Sequence, residues 1–423
     1  MTADINMKEI RSILESIQLP KMIKVRQSFV HDHLEQADIS REIKRIFENE
    51  AFISRIKKGD RVALTAGSRE IRNIAFIIKE VVSILHAIGA KPFIVPAMGS
   101  HGGARAEGQK KLIEGYGITE EYCGCPIYSS MDTVHIGNTE DGQRVFLDKN
   151  AYEADGIIVI GRVKPHTDFR GQYESGIMKM MAVGLGKQKG AQACHRLGFG
   201  HMADNIVQFG RAVLKNAPII GAVAILENAF DQTKEIVGIL PEDIENVEPI
   251  LLERARENMP KILIDECDVL IVDEIGKNFS GIGMDSNITG RHATKYSSGG
   301  IHAQRVAVLG LSKKTHNNGY GIGLADAIPR KVLTDLDTEA MYVNALTSGI
   351  PSAAYIPPVF PDEKSAVQAC IKMCVGIEEK GPRVIRIKNT LDLEEILVSQ
   401  NLKETVLNTA GMTITEENLD MTF

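Results

Sequence analysis

The feature that most restricts this chain is a repeated order of segments: a short apolar run, a glycine-rich loop, then an amphipathic stretch. Arg61–Ala66 (RVALTA) runs into Gly67-Ser68-Arg69, and Glu70–Ile88 follows with Ile71, Ile74, Ile77, Ile78, Val81 and Ile84 at helical spacing. Gly89 stops that helix. Lys91–Ala97 (KPFIVPA) leads into the loop MGSHGGA and a helix from Glu107 to Gly115. Strand, loop and helix in this order make parallel βαβ units, because a crossover is needed to bring a parallel strand back into the sheet. The spacing therefore predicts an α/β fold with mainly parallel sheets.

The pattern continues. Residues 133–148 carry a hairpin signal with Asp141-Gly142 at the turn, and Gly156–Gly161 (GIIVIG) reads as a buried strand. Ile219–Leu226 is another strand, and Pro249–Met259 a charged helix with its proline in the first turn. Near Pro260 the order restarts, with strands at Val269–Asp273, Arg305–Leu311 and Arg383–Ile387 and glycine-rich loops at Gly276–Gly283 and Gly319–Gly323. Helices are expected around Met341, Val343 and Leu346 and over Lys364–Cys374. A chain of 423 residues exceeds a usual single core, so we expect two α/β domains, 1–260 and 261–423, with a ligand cleft between them. An extended segment at Met22–Phe29 separates two helical stretches of the first 60 residues, and the last fifteen residues are polar.

The formal charge of -6 opposes a general nucleic-acid or anionic-membrane binder, though a local basic pocket for a small acid stays open. No apolar run approaches the roughly 20 residues of a membrane span, and the first residues, MTADINMKEIRSILESI, read as an amphipathic helix rather than a signal peptide. Six cysteines in so long a chain fit a reducing cytoplasm. The pair Cys123 and Cys125 has no second cysteine pair near enough for a zinc site.

Four loops after expected strands hold the side chains that could carry chemistry: Ser68 and Arg69; His101; Lys164, His166 and Arg170; and Lys277 and Asn278, with Arg291 and His292 further on. Open α/β sheets bind ligands outside the carboxyl ends of their strands, so the first three loops are expected on one edge. Imidazoles at His101 and His166 suit removal and return of a proton, against the plainer reading of each as a cap or surface residue. Arg69 suits a carboxylate, gripped through two parallel hydrogen bonds. Lys277 and Arg291 are candidates for a substrate contact in the second half, to a carboxylate or a phosphate. Lys179 lies among Ile177, Met178, Met180 and Met181, where an amine either reaches out to water or loses its proton and reacts. His195, at the end of an expected helix after a loose glycine-rich stretch, suits a metal such as nickel, zinc or copper, or simply the helix dipole.

Familiar nucleotide motifs fail. Gly186-Lys187 is followed by Gln188, so there is no phosphate-binding P-loop. Gly184, Gly186 and Gly190 make a loose dinucleotide-like pattern with no acidic residue before Asp204.

Pro165-His166, then Ser175-Gly176-Ile177-Met178-Lys179, Gly184, and His195 sixteen residues after the lysine, form a pattern that resembles the lactate racemase family of nickel-pincer nucleotide proteins. Gly99-Ser100-His101 matches that family's earlier histidine loop. The resemblance covers most of the first 260 residues and is only general beyond them. It implies that Lys179 is joined covalently to a pyridinium nucleotide holding nickel between two sulfurs and a carbon, and that His195 completes the nickel's plane. It implies that His101 and His166 exchange protons with a 2-hydroxy acid while C2 passes hydride to the cofactor and takes it back. It implies a cofactor-binding N-terminal domain, dependence on separate maturation enzymes, and an isomerase activity.

The chain departs from the family pattern at Ala66, where an Asp stands three residues before the arginine retained here as Arg69. The interval from His166 to Lys179 is longer, and Phe169–Tyr173 more polar. Both changes imply a substrate other than lactate, longer or sugar-derived. Two other readings stay open: a nicotinamide-dependent 2-hydroxy-acid dehydrogenase, and a non-enzymatic sugar-acid binding protein.

Overall fold

The computed structural model describes residues 7–377 and 381–423. The chain forms two compact units, Val30–Met259 and Met1–Phe29 with Pro260–Phe423. This corrects the expected division at one end: the described residues up to Phe29 go with the C-terminal unit. The reason is backbone pairing. Met22–Gln27 is a strand hydrogen-bonded between Glu395–Ser399 and Met412–Leu419, antiparallel to both. The fully buried Gln27 amide ties this strand further, donating to the carbonyls of Lys261 and Leu393 and accepting from the Leu263 N–H.

The unit Val30–Met259 is built on five strands in the order Lys91–Pro96, Arg61–Ala66, Gly156–Arg162, Ile219–Glu227, Thr233–Ile239. The first four run parallel and the last is antiparallel. Ile74–Ile88 and Gln36–Glu48 supply Ile77, Val81, Ile39 and Ile43 to the core on one face; Met202–Asn216 and Ile244–Asn258 supply Ile206, Phe209, Leu251 and Leu252 to the core on the other. Burial on both faces is why these strands read as unbroken apolar runs rather than alternating ones. The hairpin Thr133–Asn138 with Arg144–Asp148 turns at Asp141-Gly142, where Gly142 has φ +85°.

The other unit has six strands in the order His302–Val308, Glu266–Val272, Val384–Ile387, Glu395–Ser399, Met22–Gln27, Met412–Leu419. Three are parallel and the remainder antiparallel, so this sheet is mixed. Two helical expectations shift. Residues Glu70–Asn73 precede the helix instead of opening it, with Asn73 in the left-handed region at φ +63°. Pro249 lies inside Ile244–Asn258 rather than in its first turn. No helix among the described residues is long and apolar enough to cross a membrane.

Candidate active site at the edge of the parallel sheet

From Arg61–Ala66 the chain goes outward to Lys91–Pro96 and then returns on the opposite side as Gly156–Arg162. This reversal between neighbouring parallel strands opens a crevice at their carboxyl ends. The Lys179 segment lies over it. Met180 is the contact: a Cβ on Gly67 would sit 3.1 Å, and one on Gly161 3.2 Å, from the Met180 terminal methyl.

The segment expected to be loose is instead helical. Ile177–Lys179 is one helical turn, Met180–Gly184 a wider π-type turn, and Lys187–His195 a helix that ends on His195. Two glycines make this possible. A Cβ on Gly176 would fall 2.0 Å from the Glu248 carboxyl, which reaches in to accept the Met178 N–H at 2.8 Å. A Cβ on Gly184 would fall 2.7 Å from the Ala97 carbonyl. Burial pushes Glu248 up to about 8, so this carboxyl is largely neutral near pH 7 and caps the turn without adding a charge beside Lys179.

His166 sits in a loop closed at its base by paired backbone hydrogen bonds between Lys164 and Ser175, at 2.8 and 3.1 Å. Within it the fully buried Glu174 accepts from the His166 N–H (2.6 Å), the Gly171 N–H (3.2 Å) and the Arg256 guanidinium (2.5 Å). Arg170 donates to the His166 carbonyl at 2.5 Å. The Asp168 N–H donates to His166 Nδ1 at 3.0 Å. A backbone N–H can only donate, so Nδ1 must accept and the neutral ring carries its proton on Nε2. The Phe169 ring packs on the imidazole with centroids 4.5 Å apart.

The charges converge. Burial holds His166 well below the usual imidazole range, and the nearby Lys179, His195, Arg69 and Arg170 push it further. Burial brings Lys179 down to about 8, against the opposing pull of Asp168. Burial, then Lys179, brings His195 down to about 4. The Lys179 ammonium lies over the Phe169 ring at 5.4 Å and has no salt bridge among the described residues. His195 meets Phe199 edge-on at 5.9 Å. The Arg69 side chain keeps access to solvent, yet desolvation by the protein around it, and then the Arg162 charge, lowers its pKa; a guanidinium keeps its proton under such conditions, so its charge stands available at the strand ends.

The structure thus gathers Arg69, Lys179 and His195 within electrostatic reach of His166. Ser68 lies beside Arg69, its carbonyl accepting from the Tyr116 hydroxyl at 2.9 Å. His101 is exposed on the neighbouring loop, which is tied to the same segment by the Gly99 N–H donating to the Gly184 carbonyl at 3.1 Å. Lys277 and Arg291 belong to the other unit. Lys277 bonds Asn344 and lies over Tyr320 at 5.1 Å. Arg291 is held by Asp326 at 2.6 Å and the carbonyls of Ala303 and Gln304, which gives it a bracing role. Sequence reasoning missed Glu174, Asp168 and Glu248. Glu174 and Asp168 flank the basic residues of the loop and could have been flagged as their counter-charges; Glu248 carries no local signal.

No group of three or more His, Cys, Asp or Glu side chains among the described residues could hold a metal alone. A metal at His195 would take its other ligands from a bound group.

A parallel sheet with a lysine, two imidazoles and an arginine at its reversal point marks an α/β protein with a candidate ligand site outside the strand ends. Residues 9–206 match the family described as the lactate racemase N-terminal domain. Among solved structures, the lactate racemase apoprotein from Thermoanaerobacterium thermosaccharolyticum is similar in fold, with a TM-score of 0.50 and 14% identity over 84% of this chain and 92% of that one. No curated protein matches. The likeness to the lactate racemase N-terminal domain is therefore carried by residues 9–206, and the solved structure adds a likeness of fold.

Proposed function

We propose that this protein is a racemase or epimerase of 2-hydroxy acids that works with a nickel-pincer nucleotide. The observation that carries the reading is the pairing of Lys179 and His195. The first is a partly buried amine with no salt bridge among the described residues and a pKa near 8; the second is an imidazole kept neutral to about pH 4. A neutral amine is fit for covalent attachment and a neutral imidazole for a metal. The residues therefore suit the group: Lys179 would hold the nucleotide and His195 the nickel. When bound, it supplies a reversible two-electron acceptor for the substrate's C2.

The protein's own residues do the rest. Arg69 binds the carboxylate. His166 presents Nε2–H, so in its resting form it donates, and His101 on the adjoining loop takes the hydroxyl proton. In the reverse direction the roles exchange. The polar side chains Thr167, Asp168 and Arg170 beside His166, with Ala66 before Arg69, favour a substrate with hydroxyls beyond C2, longer or sugar-derived. Separate maturation enzymes would be required partners.

The nicotinamide reading loses its motif. Gly184, Gly186 and Gly190 serve internal packing: Cβ atoms there would meet the Ala97 carbonyl at 2.7 Å, the Gly190 Cα at 2.9 Å and the Phe146 carbonyl at 3.2 Å.

The test is to make the protein alongside the maturation enzymes, measure nickel and the mass of the Lys179 peptide, and screen 2-hydroxy and aldonic acids for deuterium exchange at C2. Nickel, added mass and exchange together are expected. Loaded protein that exchanges none of these acids would refute the activity; absence of nickel and adduct would leave the binding-protein reading.

A further inference from the structure

Lys187 stands outside the chemistry above, yet it is fully buried, and so is its partner Asp148. Its backbone is left-handed at φ +53°, a conformation that glycine adopts at far less cost. The chain places glycine one residue before it and three after, but lysine here. Something must repay that strain, and the side chain's contacts do.

The Lys187 ammonium, at the start of the helix that ends on His195, reaches three acceptors: the Asp148 carboxylate at 3.1 Å, the Pro96 carbonyl at 2.5 Å and the Gln109 side-chain oxygen at 3.2 Å. Gln109 is itself fully buried, and its amide nitrogen donates to the Gly99 carbonyl at 2.9 Å and the His101 carbonyl at 3.2 Å. The Asp148 N–H donates to the Leu185 carbonyl at 2.7 Å. One charge therefore joins the end of the Lys91–Pro96 strand, the His101 loop, the hairpin and the turn between Lys179 and His195.

We propose that Lys187 is a positioning residue: through Gln109 it sets the His101 loop against the segment carrying Lys179 and His195, so that proton transfer and cofactor are held in register. This rests on the reading of His101 as a proton carrier. The Gly99–Gly184 backbone bond is a single hydrogen bond, made at the buried start of a loop whose tip is exposed at His101. The Lys187–Gln109 link adds two more from the interior, where a fully buried ammonium has no alternative partner in water.

Two variants test it. Gln109→Leu cuts the link to the loop and leaves the ion pair. Lys187→Met with Asp148→Asn removes the pair without leaving a lone buried charge. In cofactor-loaded protein both should keep nickel and the Lys179 adduct, keep KM near the parent value, and lose about 100-fold in kcat, the scale of an ångström-level misplacement. Amide exchange at residues 99–104 should quicken about tenfold in the apoprotein as well. Parent-like kcat and loop exchange in Gln109→Leu would overturn the proposal, as would loss of nickel in proportion to activity. If the double variant does not fold, Gln109→Leu decides alone. If parent protein shows no turnover but Gln109→Leu still loosens the loop, the functional reading falls and the pin stands.

Discussion

Lys179 and Lys187 share one segment of the same unit, and the structure treats them in opposite ways. Lys187 is fully buried against a carboxylate, a carbonyl and an amide oxygen, a set of acceptors that holds a cation in place. Lys179 is partly buried against an aromatic face, with no salt bridge among the described residues, and burial brings it to about 8. A paired buried ammonium is a structural pin; an unpaired one with an open side is ready to give up its proton. Burial by itself does not separate the two roles; the acceptors do.

Several experiments would break or sharpen this contrast. Lys179→Ala should abolish cofactor retention, read as complete loss of nickel and of the added peptide mass. His101→Ala and His166→Ala should retain nickel while turnover falls about 10²–10⁴-fold, the usual range for acid–base residues; unchanged turnover in both would remove them from the mechanism. Lys187→Met alone should destabilise folding by about 3–5 kcal/mol, because it strands the Asp148 carboxylate, and adding Asp148→Asn should recover much of this in denaturant melts. The smallest effect is kinetic. Only the neutral amine attacks an acylating reagent, so labelling of Lys179 in the apoprotein should rise as pH climbs through about 8, while Lys187 stays unlabelled. A midpoint near that of an ordinary lysine would erase the distinction.

Much of this fold was legible because the informative physics is local. Arg61–Ala66 and the runs beginning at Lys91, Gly156 and Ile219 are apolar on both faces, and their strand character follows from composition and length. The motif around Lys179 was legible too, since its glycines are needed wherever Glu248 and Ala97 press on the backbone. The strands Glu395–Ser399 and Met412–Leu419 were not. The last is largely exposed and polar, and becomes a strand because Met22–Gln27 lies beside it. Nor was the π-type turn after Lys179, which needs Gly184 packed against a distant carbonyl.

The sequence by itself determined the βα order, the lysine-to-histidine interval and the loops in which chemistry could sit, because helix period, strand burial and turn residues act over a few neighbours. Only the tertiary structure decided which buried lysine is paired, which ring nitrogen of His166 bears the proton, and that the chain's first strand completes the second sheet. Those outcomes depend on partners tens to hundreds of residues away or on backbone geometry inside a folded loop, and a side chain's charge and protonation follow from what surrounds it.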